Sequence, residues 1–445
     1  MSYKEVTSVS WFARLGSSFK GIVIGILLLI AGTALLWWNE GNFVATGDAL
    51  NEAHAISSEL GDITTLDPSK NGQLVHATGS VETKDMLTDP AFDFSVNAIR
   101  LERTVEFFQW VENSSSQKVK KTGGGEETVT TYSYKQEWVK LPVNSSQFHE
   151  PKARKLRKNF ILANMENFKA QAENVSFGAY RLPTSLVNSI SGAVPLNVDI
   201  PEKTQIALNR QLTIRLHQFL SENMKQAISD DDSQGEQESF HSAGAGTELA
   251  DRAQERSSDV IDMIHFNGDT VIFGASPGAP QTGDIRVTFK ETKPGIVSIL
   301  AKVNGDTFEA YRAANGKTVN LLSMGTHSLE NMYGDAHSSN STMTWIWRFV
   351  GVSMVIVGLM TVVAPLAVVA SVIPLLGSIV GAGTSLVAIL LGSAWSLLII
   401  AIAWLRFRPL MGGAMLAVAG VLIALLFIKG RSAKTQNPTD TVTKP

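Results

Sequence analysis

The chain contains no cysteine. That absence excludes disulfide frameworks, thiolate nucleophiles and cysteine-based zinc sites together. It leaves the redox compartment open, because a cysteine-free domain tolerates either side of a membrane. Charge is scarce as well: only 18% of the 445 residues are Asp, Glu, Lys or Arg, low for a soluble protein of this length. The net charge of −3 lacks the basic excess of nucleic-acid-binding domains, so no nucleic-acid partner is expected.

Chemical motifs are also missing. The eight histidines are scattered, with no His-Glu-x-x-His and no pair at ligand spacing, so neither a metal nor another cofactor is expected. Gly123-Gly124-Gly125 is not followed by Lys-Ser or Lys-Thr and cradles no phosphate. Gly274-Ala275-Ser276-Pro277-Gly278 matches a nucleophile elbow, but Pro277, Gly278 and Pro280 cannot form the helix that such an elbow needs. It reads as a turn. No catalytic residue is proposed, and the chain is expected not to be an enzyme. Asp230-Asp231-Asp232 reads as solvated acid rather than a calcium loop. Asn113, Asn144, Asn174 and Asn340 open glycosylation tripeptides, which matter only in a glycosylating host.

What the chain does have is apolar length. Gly21 to Trp38 is an 18-residue run without charge, close to the ~20 residues that cross a hydrocarbon core. A signal peptide would end in small residues, whereas this run ends in Trp37-Trp38-Asn39-Glu40, so a retained helix is favoured. Phe349 to Leu405 is a 57-residue uncharged block. Pro374, with Gly377, Gly381 and Gly383, divides it into segments at about 349–371 and 385–405, a re-entrant pair being the alternative. A further apolar stretch covers 410–428, followed by a tail at 429–445. Four transmembrane helices are therefore expected, one N-terminal and three C-terminal.

Lys4, Arg14 and Lys20 precede the first span, and Lys429, Arg431, Lys434 and Lys444 follow the last, which places both termini in the cytoplasm. Trp37, Trp38, Trp345, Trp347 and Trp404 then fall at one outer interface, where indole rings anchor at headgroup depth. Arg348, Arg406 and Arg408 lie on the wrong side for the charge rule. Segment 1–20 is cytoplasmic. Within it, Phe12, Leu15 and Phe19 at helical spacing allow either a helix lying on the leaflet or an extension of the first span. Gly21 with Gly25, and Gly377 with Gly381, permit close helix approach; packing among the chain's own helices is favoured over a homodimer seam. The spans carry no buried acid or base, which argues against a proton-coupled transporter and less firmly against a channel.

Between the spans, 39–344 reads as a large mixed α+β domain outside the cytoplasm. Val44 to Leu60 is helix-like. Arg100 to Val111 and Thr128 to Val139, around the three glycines, read as a long hairpin. Lys152 to Ala172 carries a helical pattern that opens on Lys152, Arg154, Lys155, Arg157 and Lys158, a solvated face or a contact for anionic headgroups. Leu212 to Ser229 reads as helix and 230–258 as a mobile acidic insertion. Strands are expected at Asp269 to Phe273, Ile285 to Lys290, Val297 to Val303 and Thr318 to Leu322. Asn304-Gly305 and Asn315-Gly316 are strong hairpin turns.

Five segments carry a resemblance: Trp37-Trp38-Asn39-Glu40-Gly41; Arg103 to Glu112 (Arg-Thr-Val-Glu-Phe-Phe-Gln-Trp-Val-Glu); Tyr132 to Trp138 (Tyr-Ser-Tyr-Lys-Gln-Glu-Trp); Gly283 to Phe289 (Gly-Asp-Ile-Arg-Val-Thr-Phe); and Arg406-Phe407-Arg408-Pro409-Leu410. On these the chain resembles the transmembrane protein 43 (LUMA) family, nearly end to end. The acidic insertion is the main departure. The resemblance implies one span, a large lumenal domain and three spans, in a scaffold that oligomerises and binds other membrane or envelope proteins. It implies no catalytic residues. An animal member would sit in the endoplasmic reticulum and inner nuclear membrane. The lack of cysteine and the short tail incline the reading to a bacterial inner-membrane member with a periplasmic domain. An ion-conducting or lipid-handling oligomer is the alternative function. A lumenal hydrolase would require Ser276, His265 and Asp284 to meet.

Overall fold

The computed structural model describes residues 3–232, 261–276, 278–410 and 412–414. Strand β1 (Tyr3–Val9) leads through the Ser10 cap, whose hydroxyl accepts from the Ala13 amide, into α1 (Trp11–Ile56). Helix α1 contains the first expected span. Over 46 residues at 1.5 Å each it runs about 70 Å, so it crosses a bilayer and continues into the domain without a break. The residues around 11–19 are thus an extension of the first span and not a separate helix on the leaflet.

The domain begins with β2 (Leu74–Thr83), then β3 (Arg100–Lys120) and β4 (Glu126–Val139). These last two form the expected hairpin, but β3 runs nine residues further than the sequence suggested. The polar stretch after Val111 stays extended because β4 pairs it rung by rung to Lys120–Glu126. Gly123 and Gly124 turn the corner with φ of 90° and 80°, a backbone region that favours glycine. β1 then pairs antiparallel with β4 from Tyr3–Tyr132 to Val9–Glu126.

The helix expected over 152–172 is only one turn and a half, α2 (Pro151–Leu156). The segment that follows is drawn off by the sheet. Asn159 and Asn167 accept from the amides of Trp110 and Val105, and β5 (Phe168–Gln171) pairs with β3. After the short β6 (Val175–Phe177) comes α3 (Glu202–Asp232), which starts ten residues before the expected Leu212. The acidic insertion beyond Asp232 lies outside the described residues. The chain returns in β7 (Ile264–Asn267), β8 (Thr270–Phe273), β9 (Ile285–Thr292), β10 (Ile296–Asn304), β11 (Thr307–Glu309) and β12 (Leu321–Met324). Asn304-Gly305 closes the β10–β11 hairpin, with Gly305 at φ 61°.

Two sheets result. The first is eight-stranded and is ordered β1-β4-β3-β9-β8-β7, with β5 paired on β3 and the two-residue strand Val194–Pro195 on β9. Its buried face carries Val105, Phe107, Phe273, Val287 and Phe289, against which Phe92 packs from a turn. The second is seven-stranded, with β10 between β2 and β12 and also paired to β11. It encloses Val75, Val81, Phe177, Tyr180, Ile299 and Val303.

Two further helices close the described chain. α4 (Leu329–Ala370) starts on the Ser328 cap, and α5 (Pro374–Phe407) starts on Pro374 itself. Proline at the first turn lacks an amide that would have no partner there anyway, so it opens α5 and does not split it. Gly377, Gly381 and Gly383 lie inside this helix. Among the described residues three helices are long and apolar enough to cross a membrane: α1, α4 and α5. The expected fourth span, 410–428, falls almost entirely outside the described residues.

Candidate functional site

Two places join the bundle to the rest of the molecule, one at each of its ends. At the first, Glu40 in α1 and Arg348 in α4 form a two-pronged ion pair. Arg348 Nε donates to Glu40 Oε1 at 2.6 Å, and Arg348 Nη2 to Oε2 at 2.7 Å. Trp404 in α5 donates its indole N–H to the same Oε2 at 2.7 Å, and Glu40 is 1% exposed. The guanidinium lies over Trp345 at 4.7 Å and over Trp404 at 5.6 Å. Every oxygen of the carboxylate is thereby met, and three helices share one charge pair. Next to it Asn39 donates to the Thr344 carbonyl at 3.2 Å, and Trp37 packs on Phe407 with ring centroids 5.5 Å apart.

The five tryptophans divide accordingly. Trp345 and Trp404 hold Arg348, and Trp37 contacts α5 through Phe407. Trp38 and Trp347 point outward, 54% and 39% exposed. Arg348 and Arg408, which offended the charge rule, are engaged here: Arg408 lies 4.7 Å over the Phe43 ring. The Glu40–Arg348 pair was not singled out from the sequence. Its signal was there, since one acid and one base, both flanked by tryptophan, end two different spans at one expected level.

Above this lock the helices become part of the domain. Lys317 donates to Asn42, Asn315 to the Ala45 carbonyl at 2.7 Å, and the Tyr311 hydroxyl to Glu52. Asn340 of α4 donates to the Phe43 carbonyl at 3.0 Å. Ala49, Leu50 and Ala53 of α1 pack with Met332 and Tyr333 of α4 on Leu74 and Leu300 of the second sheet. The domain is thus mounted on two rigid rods.

Between the two ends the helices meet through glycine. A Cβ on Gly25 would lie 2.7 Å from the Gly358 carbonyl oxygen, and one on Gly358 equally close to the Gly25 oxygen. Gly32 and Gly351 repeat the contact two turns away, and Gly21 faces Thr361. Such approach lets backbones pack where lipid offers no hydrophobic drive for association. Gly377 packs on the backbone of Ser371 in its own connecting turn, and Gly381 touches Ala367.

At the far end sits the tip of the β3–β4 hairpin. Gly123 donates its amide to the Val372 carbonyl at 3.1 Å, in the turn between α4 and α5. Arg14 of α1 donates to the Gly124 carbonyl at 2.5 Å and to Ser371 Oγ at 3.3 Å, and pairs with Glu126 at 3.4 Å. Trp11 donates to the Val368 carbonyl at 2.9 Å and lies against Gly124. From Arg14 to Glu40 the helix climbs about 40 Å, and from Lys120 back to Phe108 the strand covers about the same height. The hairpin therefore reaches from the domain to the opposite end of the bundle. Residues 113–132, with β1 paired beside them, thus lie at the height of the bundle, whereas the sequence set 39–344 outside the membrane and 1–20 in the cytoplasm.

Of the residues of the hydrolase alternative, His265 and Asp284 are neighbours. His265 Nε2 lies 3.0 Å from the Gly274 carbonyl, and Asp284 receives the Gln281 amide at 2.8 Å. No hydrogen bond joins either side chain to the Ser276 hydroxyl among the described residues. Burial pushes the Asp284 carboxyl up to about 6, against the Gln281 amide and nearby His265. Its carbonyl accepts the Phe108 amide and the neighbouring Gly283 amide donates to Phe108, so this pair anchors the root of the hairpin.

No solved structure matches the chain. Transmembrane protein 43 of Rattus norvegicus is 25% identical over 423 residues, 92% of this chain and 91% of its own. The Homo sapiens protein of that name is 24% identical over 445 residues, covering 98% and 94%. The Drosophila melanogaster homolog is 25% identical over 401 residues, covering 88% and 90%. The transmembrane protein 43 family profile matches residues 107–409, from the hairpin root to the end of α5, and the chain is a membrane protein of that family.

Proposed function

We propose that the chain is a non-enzymatic membrane scaffold, which holds its sheet-rich domain at a fixed height above the bilayer and organises other membrane or envelope proteins around it. The observation that carries this reading is the mounting. α1 and α4 pass from the bundle into the domain unbroken, and Glu40, Arg348 and Trp404 lock their junction. A flexible tether would let the domain search; a rigid mount fixes which partners it can meet. In this reading the domain lies outside the cytoplasm, in the periplasm of a bacterium or the lumen of the endoplasmic reticulum, and copies self-associate.

Crosslinking in native membranes followed by co-purification tests it. The wild type should recover a defined set of membrane proteins, and a flexible insertion between Asn42 and Phe43 should cut that recovery several-fold while the protein still reaches the membrane. A clean monomer without partners overturns the reading. The polar hairpin at bundle height supports a second reading, an ion-conducting oligomer. Purified protein in liposomes that carries no current removes it.

A further inference from the structure

At the height of the bundle, β1, β4 and β3 make a three-stranded ladder with two open edges. β3 is paired with β9 up to Phe107, and beyond that the Phe108 and Trp110 amides are met by Asp284 and Asn159. From Asn113 to Lys120 the outer edge of β3 has no backbone partner among the described residues, and neither has the outer edge of β1 from Tyr3 to Val9. Unpaired backbone groups cannot be left in hydrocarbon, where each costs several kcal/mol. Nor can lipid cover the faces. Ser116, Thr130 and Glu5 share one rung face, and Lys4, Thr131 and Ser115 share the next rung on the other. A lipid-facing strand needs one apolar face, and this ladder has none.

The two open edges suit one another. β1 and β3 are both antiparallel to β4, so they run in the same direction, at the same height, for about the same length. A rotation about an axis along the membrane normal brings one edge against the other, the geometry of a head-to-tail contact that can close into a ring. Charge agrees. Glu5 is level with Ser116 through Thr130, two residues from Lys118. The stagger that strand tilt gives a closed barrel would bring Glu5 beside Lys118 of a neighbour.

We propose that the outer edge of β1 in one copy pairs in parallel with the outer edge of β3 in a second copy, so that successive ladders close into a polar ring with the helices outside. Arg14 turns the Glu126 face of the ladder toward the helices. The opposite face, with Lys4, Ser8, Gln117 and Thr131, lines the interior with water-compatible side chains. This inference rests on the self-association in the scaffold reading and names the surface that performs it.

The absence of native cysteine makes the test direct. Full-length Val6→Cys is combined in one chain with Ser115→Cys, Gln117→Cys or Val119→Cys, in turn, and native membranes are oxidised. Within one copy β4 separates the two strands, about 10 Å apart and beyond the ~7 Å reach of a disulfide, so any bond must join two copies. At least one pair should give a non-reducing gel ladder extending past the dimer, while each single-cysteine chain stays monomeric. Val6→Cys with Val129→Cys, opposite each other in one copy, should close within the chain. If that internal bond forms and every Val6 pairing with β3 stays monomeric, the proposal is overturned. If the internal bond fails to form, the ladder is not there and the proposal falls with it. Partner recovery by co-purification is read separately, so losing the ring leaves the scaffold test standing.

Discussion

The domain and the bundle each bury one arginine–carboxylate pair between two aromatic rings, and the two pairs are satisfied differently. In the domain Arg103 donates to Asp89 at 2.5 Å between the rings of Phe92 and Phe168, and also to the Glu166 carbonyl. Asp89 is fully buried, and its Oδ2 has no partner among the described residues. At the bundle end both Glu40 oxygens are met, one of them twice. The domain pair is buried, with the guanidinium over the Phe92 and Phe168 rings. The bundle pair lies at the end of the three helices beside the outward-facing Trp38 and Trp347, so a long arginine has a short way to bend outward. The same chemistry acts as a core element in one place and as a joint between rods in the other.

The largest expected effect breaks the domain pair. Asp89→Ala leaves Arg103 buried without a counter-charge and should cost about 3–5 kcal/mol, read as loss of thermal stability and of a folded domain in detergent. Glu40→Gln should cost less, about 1.5–3 kcal/mol, because Arg348 can relax outward. Its signature should be loosened α1–α4 contact, seen as a drop in crosslinking between the helices, with the domain's aromatic circular dichroism unchanged. The double change Glu40→Gln with Arg348→Met should recover most of that loss, since no unpaired charge remains. If Glu40→Gln unfolds the domain as fully as Asp89→Ala, the distinction between core and joint fails.

Gly358→Leu attacks the bundle through packing instead of charge. It forces α1 and α4 apart at Gly25 and should cost about 1–3 kcal/mol, measured by thermal denaturation in detergent. At the hairpin root the expected effect depends on pH. Asp284 holds its proton up to about 6, above its unfolded value of 3.8, so the folded state binds more protons between those two values. Stability from this group is full below pH 4, falls as pH rises to 6, and stays lost above. Asp284→Asn should flatten that part of the stability–pH curve measured by urea unfolding.

How much of this was legible varies with the kind of order. The spans were readable because lipid demands apolar length, and the run from Gly21 to Trp38 supplies it. The hairpin was readable from β-rich segments on either side of three glycines. Its reach was not: Asn113 to Lys120 is polar and gives no strand signal alone, and only the rungs with β4 and β1 hold it extended. The stretch 157–172 carried a helical pattern, yet Asn159, Asn167 and β5 serve the edge of β3, because open sheet edges outbid weak local helix preference. Pro374 was legible as punctuation but stands as the first residue of α5. Of the site, the tryptophans and Gly21 and Gly25 were visible as residue types, while Glu40–Arg348 and the grip of Arg14 on the hairpin tip were not.

The sequence by itself determined that this protein lives in a membrane, that it carries runs long and apolar enough to cross one, and that no thiol chemistry is available to it. Those properties follow from composition and run length, which act on each segment alone. Only the tertiary structure decided that the acid ending one span meets the base opening another, and that a polar hairpin reaches the far end of the bundle. Both depend on contacts between residues about a hundred to three hundred positions apart, and no local pattern encodes which distant partner a charge or a strand edge will find.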